Sequence, residues 1–185
     1  GNAYEHLGIF NKSINCYEDA LEVFKELNTP LRTHCIVSAI NSMGLVFAEL
    51  GFYDKALEYY EESLKMAQNI NDVDNLMYVF SILINIGEIH YIVGSYDKAL
   101  MYFLKGYELS KSSTVSQMQG SSLLCIGQVY DDLRHYNVAV NYYKEALRIF
   151  ETIDNINGIT GVLTRLGYLY LVQKKYKEAE NLFNN

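Results

Sequence analysis

The sequence predicts an all-α protein built from repeated helix–turn–helix units. A single proline in 185 residues favours long helices. A similar segment recurs five times, at intervals of 43, 43, 40 and 40 residues, which is the spacing of a repeat protein. No alternating run of polar and apolar residues indicates a strand. Half of the residues are hydrophobic and no apolar stretch reaches the length of a membrane span, so the composition is typical of a soluble, folded chain.

Each copy opens with a glycine inside a helical pattern. These glycines are Gly1, Gly44, Gly87, Gly127 and Gly167. A glycine there costs about 1 kcal/mol relative to alanine, so its recurrence indicates the close approach of a neighbouring helix. A ring follows three residues later, and then a turn. Gly8, Gly51 and Gly94 are predicted to end the first helix of their copies as left-handed caps, and Arg134 and Lys174 take this place in the last two copies.

The second helix of each copy carries small and aromatic residues on one face. An aromatic residue opens it, a small residue comes three positions later, and another aromatic residue comes four positions after that. The small column is Ser13, Ala56, Ala99, Ala139 and Ala179, and the second aromatic column is Tyr17, Tyr60, Phe103, Tyr143 and Phe183. Most of the 17 tyrosines are therefore expected in the core, including Tyr176 at the start of the last second helix.

The pattern predicts helix boundaries along the whole chain. The helices are expected at residues 9–27, 31–50, 53–69, 73–93, 96–111, 115–133, 136–153, 157–173 and 176–185. The units are then 1–27 (partial), 31–69, 73–111, 115–153 and 157–185 (partial). One unit cannot bury its own apolar face, so residues 1–185 are expected to form a single solenoid domain. Because the chain starts and stops within a unit, we expect a fragment of a longer protein, with possible end-to-end self-association.

The segments GFYDKALEYYEESL and GSYDKALMYF resemble the tetratricopeptide repeat (TPR), and the resemblance covers nearly the whole chain. It implies a right-handed α-solenoid superhelix of antiparallel helix pairs. The repeat is longer than the usual 34 residues. The early tryptophan of the family is replaced by Ile40, Leu83, Leu123 and Leu163. Longer repeats of this kind resemble those of bacterial signalling proteins, including peptide-sensing regulators and sensors fused to histidine kinases or nucleotide cyclases.

No motif in the sequence indicates catalysis. The sequence contains no metal-binding HExxH, no GxSxG, no P-loop and no GxGxxG. Asp131 and Asp132 are adjacent in a helix, so their carboxylates point about 100° apart and cannot act jointly on one atom. His90 falls in an aromatic packing column and is expected in the core. The chain is thus predicted to be no enzyme, with no catalytic residue, no metal and no cofactor.

A binding surface is instead implied by the resemblance, since first helices line the concave face in this family. The candidate groove residues are Asn41, Glu49, Ser81, Asn85, Glu88, Tyr91, Gln128, Asp131, Arg165 and Tyr168. Their side chains offer amides for a peptide backbone, phenol rings for amphipathic contacts, and mostly negative charge. Family members that clamp a C-terminal carboxylate use Lys, Arg and Asn there, and here only Arg165 is basic, whereas several candidates are acidic. The expected partner is a protein or peptide that is basic or neutral.

The net charge and the cysteine content restrict the class of partner and the cellular compartment. The net charge is −7, which argues against a nucleic-acid partner. Three cysteines far apart in the sequence fit a reducing, cytoplasmic compartment, and no membrane association is predicted. Two functions remain open. One is a scaffold-like protein-interaction module, and the other is a regulatory domain that senses a signalling peptide in a bacterial transcription regulator, histidine kinase or nucleotide cyclase fusion.

Overall fold

The computed structural model describes residues 2–29, 31–70, 75–111 and 116–183, and within these ranges it contains nine α-helices and no strand. The helices are α1 (Asn2–Glu26), α2 (Arg32–Glu49), α3 (Tyr53–Ala67), α4 (Asn75–Ile92), α5 (Tyr96–Lys111), α6 (Ser116–Asp132), α7 (Tyr136–Thr152), α8 (Ile156–Val172) and α9 (Tyr176–Phe183). The boundaries predicted for α2 to α9 agree within two residues at each end. Gly1, the first residues predicted for α4 (73–74) and α6 (115) and the last two predicted for α9 (184–185) lie outside the described residues.

The chain divides into two compact units, Gly1–Ile89 and His90–Asn185. In the first unit, α1 packs on α2 and α2 on α3. In the second unit, α5 packs on α6, α6 on α7, α7 on α8, and α8 on α9. Helices that follow each other in sequence are therefore neighbours in space within each unit, as expected for stacked hairpins. That residues 1–185 act as one domain stays a prediction.

The turns inside the repeats share one hydrogen-bonded geometry. Gly51, Gly94, Arg134 and Lys174 all have positive φ angles, of 77°, 76°, 60° and 58°. At each turn the next residue donates its N–H to a carbonyl five positions back, as Phe52 does to Phe47 at 2.9 Å. This is the Schellman motif, which satisfies the last carbonyls of a helix. The turns predicted at Arg134 and Lys174 are therefore confirmed, although neither residue is glycine.

The turn predicted at Gly8 is wrong. Helix α1 runs without interruption from Asn2 to Glu26, and Gly8 lies within it. Continuing the helix keeps its backbone hydrogen bonds, and this outweighs the modest cost of one internal glycine.

The glycine column lets aromatic rings pack directly against the first helices. A Cβ atom added to Gly44 would lie 2.6 Å from the Tyr60 ring, and one added to Gly127 would lie 2.6 Å from the Tyr143 ring. Real carbon atoms do not approach so closely, so only glycine fits at these positions. The close approach predicted from the recurrence of glycine is confirmed at Gly44 and Gly127.

The small-residue column is buried in α3, α5, α7 and α9, whereas Ser13 on α1 is half-buried. Ala56, Ala99 and Ala139 have no exposed surface, and Ala179 is buried as well. Ser63 lies seven residues after Ala56 on the same face of α3. It donates its hydroxyl to the carbonyl of Val37 on α2 at 3.0 Å. Alanine and a satisfied serine thus allow paired helices to lie close together.

The aromatic columns lie partly in the core and partly at its edge. Tyr60, Phe103, Tyr143 and Tyr170 are buried, and the half-buried members are Tyr17, Tyr53, Tyr96, Tyr130 and Tyr136. Phe47 stacks on Tyr59 with ring centroids 5.2 Å apart, and Tyr130 stacks on Tyr142 at 5.5 Å. His90 stacks in the same way on Tyr102, as expected for a packed histidine. Tyr176 is the exception, because 63% of its surface is exposed and the prediction of a core position for it is wrong. Among the described residues, α9 packs only on α8, which leaves this ring uncovered.

Candidate interaction surface

The ten candidate groove residues all lie on the first helices of the repeats. Asn41 and Glu49 lie on α2, Ser81, Asn85, Glu88 and Tyr91 on α4, Gln128 and Asp131 on α6, and Arg165 and Tyr168 on α8. None of the ten is fully buried. This placement follows from the sequence, because these positions alternate with the buried glycine and aliphatic positions of the same helices. In the first unit the candidates come from α2 and α4, and in the second from α4, α6 and α8.

An asparagine pair links two first helices in the first unit. The side-chain amide of Asn85 donates to the Oδ1 atom of Asn41 at 3.2 Å. This contact uses one donor of Asn85 and one acceptor of Asn41. The Asn41 amide nitrogen and the Asn85 oxygen therefore retain capacity for a further donor and acceptor pair, which is the pattern that an extended peptide backbone presents.

Two glutamates act on a buried phenol in the same unit. The Tyr60 side chain is buried, and its burial raises its pKa, with further contributions from the charges of Glu88 and Glu49. Removal of water by the neighbouring protein raises the pKa of Glu88 as well. The carboxylates of Glu49 and Glu88, predicted from sequence as groove residues, therefore belong to one electrostatic environment around Tyr60.

A second cluster lies in the second unit, where α4, α6 and α8 contribute. The Tyr91 hydroxyl hydrogen-bonds to the Asp132 carboxylate, and burial, this bond and the charge of Asp132 together raise the pKa of Tyr91. Desolvation raises the pKa of Asp131, the adjacent charge of Asp132 raises it further, and Arg165 lowers it. Tyr91, Asp131 and Arg165 were predicted as groove residues, and the structure brings them together with Asp132.

Tyr143 belongs to this cluster, although the sequence pattern assigns it to the core. Its ring is fully buried under Gly127. Its hydroxyl has no hydrogen-bond partner among the described residues, and its pKa is raised first by burial and then by the charge of Asp131. The equivalent column position in the preceding repeat is Phe103, so the tyrosine at 143 is the only sequence signal for this hydroxyl. Column position alone does not show where the hydroxyl points.

The other predicted candidates are more isolated. Ser81 is exposed and Gln128 is half-buried. Tyr168 has 62% of its surface exposed on α8. No hydrogen bond or ion pair joins these three side chains to the two clusters within the described ranges, so any role for them in binding depends on the partner.

The acidic side chains of these clusters do not converge on a common point within the described ranges. Among the described residues, no three histidine, cysteine, aspartate or glutamate side chains converge as metal ligands. Asp131 and Asp132 are neighbours in α6, and each faces a different direction.

Comparison with protein families identifies the repeat. The model of the tetratricopeptide repeat matches residues 1–69, 35–112 and 78–152, which together cover most of the chain. The chain therefore belongs to the tetratricopeptide-repeat family, as its repeated segments predicted. The repeat of this family is generally a non-catalytic interaction module. A search of curated proteins gives no significant match.

Solved structures share the fold. BtubC from P. vanneervenii is 21% identical, with a TM-score of 0.80 over 94% of this chain and 70% of its own. The apo form of RapI is 22% identical, with a TM-score of 0.81 over 96% of this chain and 48% of its own. A Rap protein crystallised with Competence and Sporulation Factor is 15% identical, with a TM-score of 0.69 over 99% of this chain and 59% of its own. The chain thus has an all-α TPR-like solenoid fold and spans about half the length of RapI.

Within the described ranges, none of the helices combines the length and the apolar character that a membrane span requires.

Proposed function

We propose that this chain is a non-catalytic module that binds a protein or peptide along the first helices of its repeats, α2, α4, α6 and α8. The observation that carries the proposal is the Asn41–Asn85 pair, in which side-chain amides from two successive first helices meet at 3.2 Å and keep hydrogen-bonding capacity. Family membership supports the same role, since the repeat is generally an interaction module.

The charge of the same helices supports a basic or neutral partner. Glu49, Glu88, Asp131 and Asp132 lie on α2, α4 and α6, whereas Arg165 is the basic residue among the candidates. Complementary charge increases the rate of association and selects against partners of the same sign. The partner is accordingly no nucleic acid, and the setting that fits three cysteines distant in sequence is the cytoplasm.

A peptide-display selection on the immobilised full chain tests the proposal. The affinities of the enriched peptides are then measured by fluorescence anisotropy for Asn41→Ala/Asn85→Ala and for Asn137→Ala/Asn141→Ala. The second pair removes two exposed asparagines from α7, a second helix, and serves as the matched control. We expect the first pair to weaken binding at least tenfold and the control pair to change it less than twofold. A selection that enriches no binding peptide, or peptides that bind both pairs equally, contradicts the proposal.

A second candidate function is that of a peptide-sensing regulatory domain in a bacterial signalling protein. The observation that favours it is the fold similarity to Rap proteins, one of which was crystallised with Competence and Sporulation Factor. A sensor must couple binding to a change of shape, and an array of nearest-neighbour contacts can change its curvature. Small-angle scattering of the full chain with a saturating selected peptide tests this function. A smaller radius of gyration supports the sensor, and an unchanged radius favours the simple interaction module.

A further inference from the structure

A cavity of about 460 Å³ lies in the first unit, where α1, α2 and α4 meet. Four rings form part of its wall, and they belong to Tyr17 and Phe24 of α1, His34 of α2 and Tyr78 of α4. None of the described residues that line it is an aspartate, glutamate, lysine or arginine. Cavities of this size that are mostly apolar, with a few polar groups, are the usual binding sites for uncharged apolar groups.

The rings of the wall favour an aromatic occupant over an aliphatic one. The ring centroids of His34 and Tyr78 lie 5.5 Å apart, with the planes at 57°, which is a tilted arrangement of the kind that aromatic pairs prefer. A further ring beside them can make the same type of contact, whereas an aliphatic side chain gains only from the burial of its surface. A fatty acid would need a basic group at the cavity, and the described lining contains no lysine or arginine.

The cavity lies on the same face of the helices as the asparagine pair. Asn41 comes seven residues after His34 on α2, and Asn85 comes seven residues after Tyr78 on α4, which is about two helical turns in each case. The ring contact of His34 with Tyr78 and the amide contact of Asn41 with Asn85 are therefore equivalent contacts between the same two helices.

The distance between these two contacts suits a short extended peptide. At 1.5 Å per residue, seven residues separate the contacts by about 10 Å along the helices. An extended chain advances about 3.3 Å per residue, so about three residues cover this distance. Ser42 lines the cavity and directly follows Asn41 in α2, so the cavity reaches as far as the amide pair.

We propose that this cavity receives an aromatic side chain of the bound protein or peptide. The proposal rests on the function proposed above and specifies the partner for the first unit. The partner's backbone bonds to Asn41 and Asn85, and an aromatic residue about three positions away enters the cavity beside His34 and Tyr78. A charged side chain is excluded, because entry would remove its water without supplying a partner of opposite charge.

Protection of Cys35 measures occupation of the cavity directly, because its thiol lines the cavity and forms no disulfide. The full chain is alkylated with iodoacetamide, with and without N-acetyl-phenylalaninamide, and mass spectrometry follows each cysteine separately. We expect the amide to slow alkylation of Cys35 at least threefold and to leave Cys125, on α6 in the second unit, unchanged. N-acetyl-cyclohexylalaninamide is similar in size without an aromatic ring and should protect less than half as well. Equal protection by the two amides, or protection by neither, overturns the aromatic site.

Variants connect the cavity with the partner, and their affinities are measured for peptides enriched by the display selection. Ser38→Leu places an apolar side chain in the cavity from an exposed position on α2, and we expect it to weaken binding at least tenfold. Its control, Asn141→Leu, adds the same side chain to an exposed position on α7 and should change binding less than twofold. Unaltered binding in Ser38→Leu overturns the proposal.

A second pair of variants tests the rings of the wall. Tyr78→Leu removes one ring from the cavity and should weaken binding at least fivefold. Its control, Tyr176→Leu, removes an exposed ring from α9 and should leave binding unchanged. Equal affinities of these two variants would show that the wall does not recognise an aromatic ring.

The two proposals fail in different ways. Selected peptides that lose affinity for Asn41→Ala/Asn85→Ala but carry no aromatic residue, and are indifferent to Ser38→Leu, remove the aromatic site and leave the interaction module intact. A selection that enriches no peptide removes the interaction module itself. If N-acetyl-phenylalaninamide still protects Cys35 in that case, the cavity takes a free aromatic molecule, and the assignment of its occupant to a peptide is wrong.

Discussion

Single residues in the small column determine how closely the helices pack. Ala99 has no exposed surface on α5. The substitution Ala99→Glu would bury an unpaired carboxylate, and we expect it to lower the free energy of unfolding by roughly 3 kcal/mol or more. Urea denaturation followed by circular dichroism measures the change. The matched control is Met101→Glu, an exposed position on the same helix, which should change stability little. Equal stability of the two variants would mean that the small column is not core.

A single acidic residue of the second unit is expected to destabilise the fold at neutral pH. Desolvation and the charge of Asp132 raise the pKa of Asp131 in the folded chain. The folded state then holds this proton more tightly than the unfolded state does. The destabilisation is therefore present above the raised pKa and disappears as the pH falls through it toward 3.8.

Asp131→Asn tests this dependence by urea denaturation at pH 7 and pH 4. We expect the variant to be more stable at pH 7 by about 0.5 kcal/mol, a value in the range of helix-dipole interactions, and equal to the parent near pH 4. Asp97→Asn is the control of opposite sign, because Asp97 lies in the first turn of α5, where the dipole favours an acid. A loss of stability in Asp131→Asn at pH 7 would show that Arg165 already compensates the carboxylate.

At the residue scale, the sequence predicts which side chains are buried better than it predicts how their polar groups are oriented. The columns correctly predict that Ala139 and Tyr143 are buried, because burial follows from helical periodicity. They do not reveal that the Tyr143 hydroxyl lacks a partner, since that depends on the rotation of the ring under Gly127 and on the charges beyond it. The same limit applies to Asn41 and Asn85, whose contact joins helices 44 positions apart.

At the scale of elements, the turns between paired helices share one hydrogen-bonded geometry although their residues differ. Gly51 and Gly94 adopt positive φ without steric cost, whereas Arg134 and Lys174 adopt it against the preference of residues with a Cβ atom. The Schellman hydrogen bonds hold all four turns in the same geometry. The helix pairing of the repeat therefore outweighs the local preference at two of its turns.

Replacing the non-glycine caps should increase stability. We expect Arg134→Gly and Lys174→Gly each to raise the free energy of unfolding by about 1 kcal/mol, because the left-handed conformation carries that cost for other residues. Gly94→Ala is the reciprocal variant and should lower it by a similar amount. Nothing lies within 4 Å of a Cβ added at Gly94, so this loss would report backbone strain alone. Thermal denaturation gives the values, and a destabilised Arg134→Gly would mean that the arginine side chain stabilises the turn.

Boundaries of α2 to α9 could be predicted from the sequence because each is marked by a local signal. An aromatic opening and a small column coincide at every one of these hairpins, and a glycine cap precedes them at Gly51 and Gly94. Gly8 has the same cap residue and no turn, since α1 continues through it. A glycine at the cap position is therefore not sufficient by itself to end a helix.

At the scale of the whole molecule, the internal repeats are the feature that assigns the chain to its family. The family match extends over residues 1–152 in three overlapping segments, and solved structures with as little as 12% identity share the fold. The fold is therefore shared at this distance although most residue identities are not. Partner choice depends on the exposed positions between the columns, which the family pattern leaves unspecified.

Hydrogen–deuterium exchange of the full chain, with and without a peptide from the display selection, tests the interaction surface most directly. If the partner lies along the first helices, the peptide should slow exchange in α2, α4, α6 and α8 and leave α3, α5 and α7 unchanged. Slower exchange confined to the second helices, or a bound peptide that protects no first helix, would contradict the account.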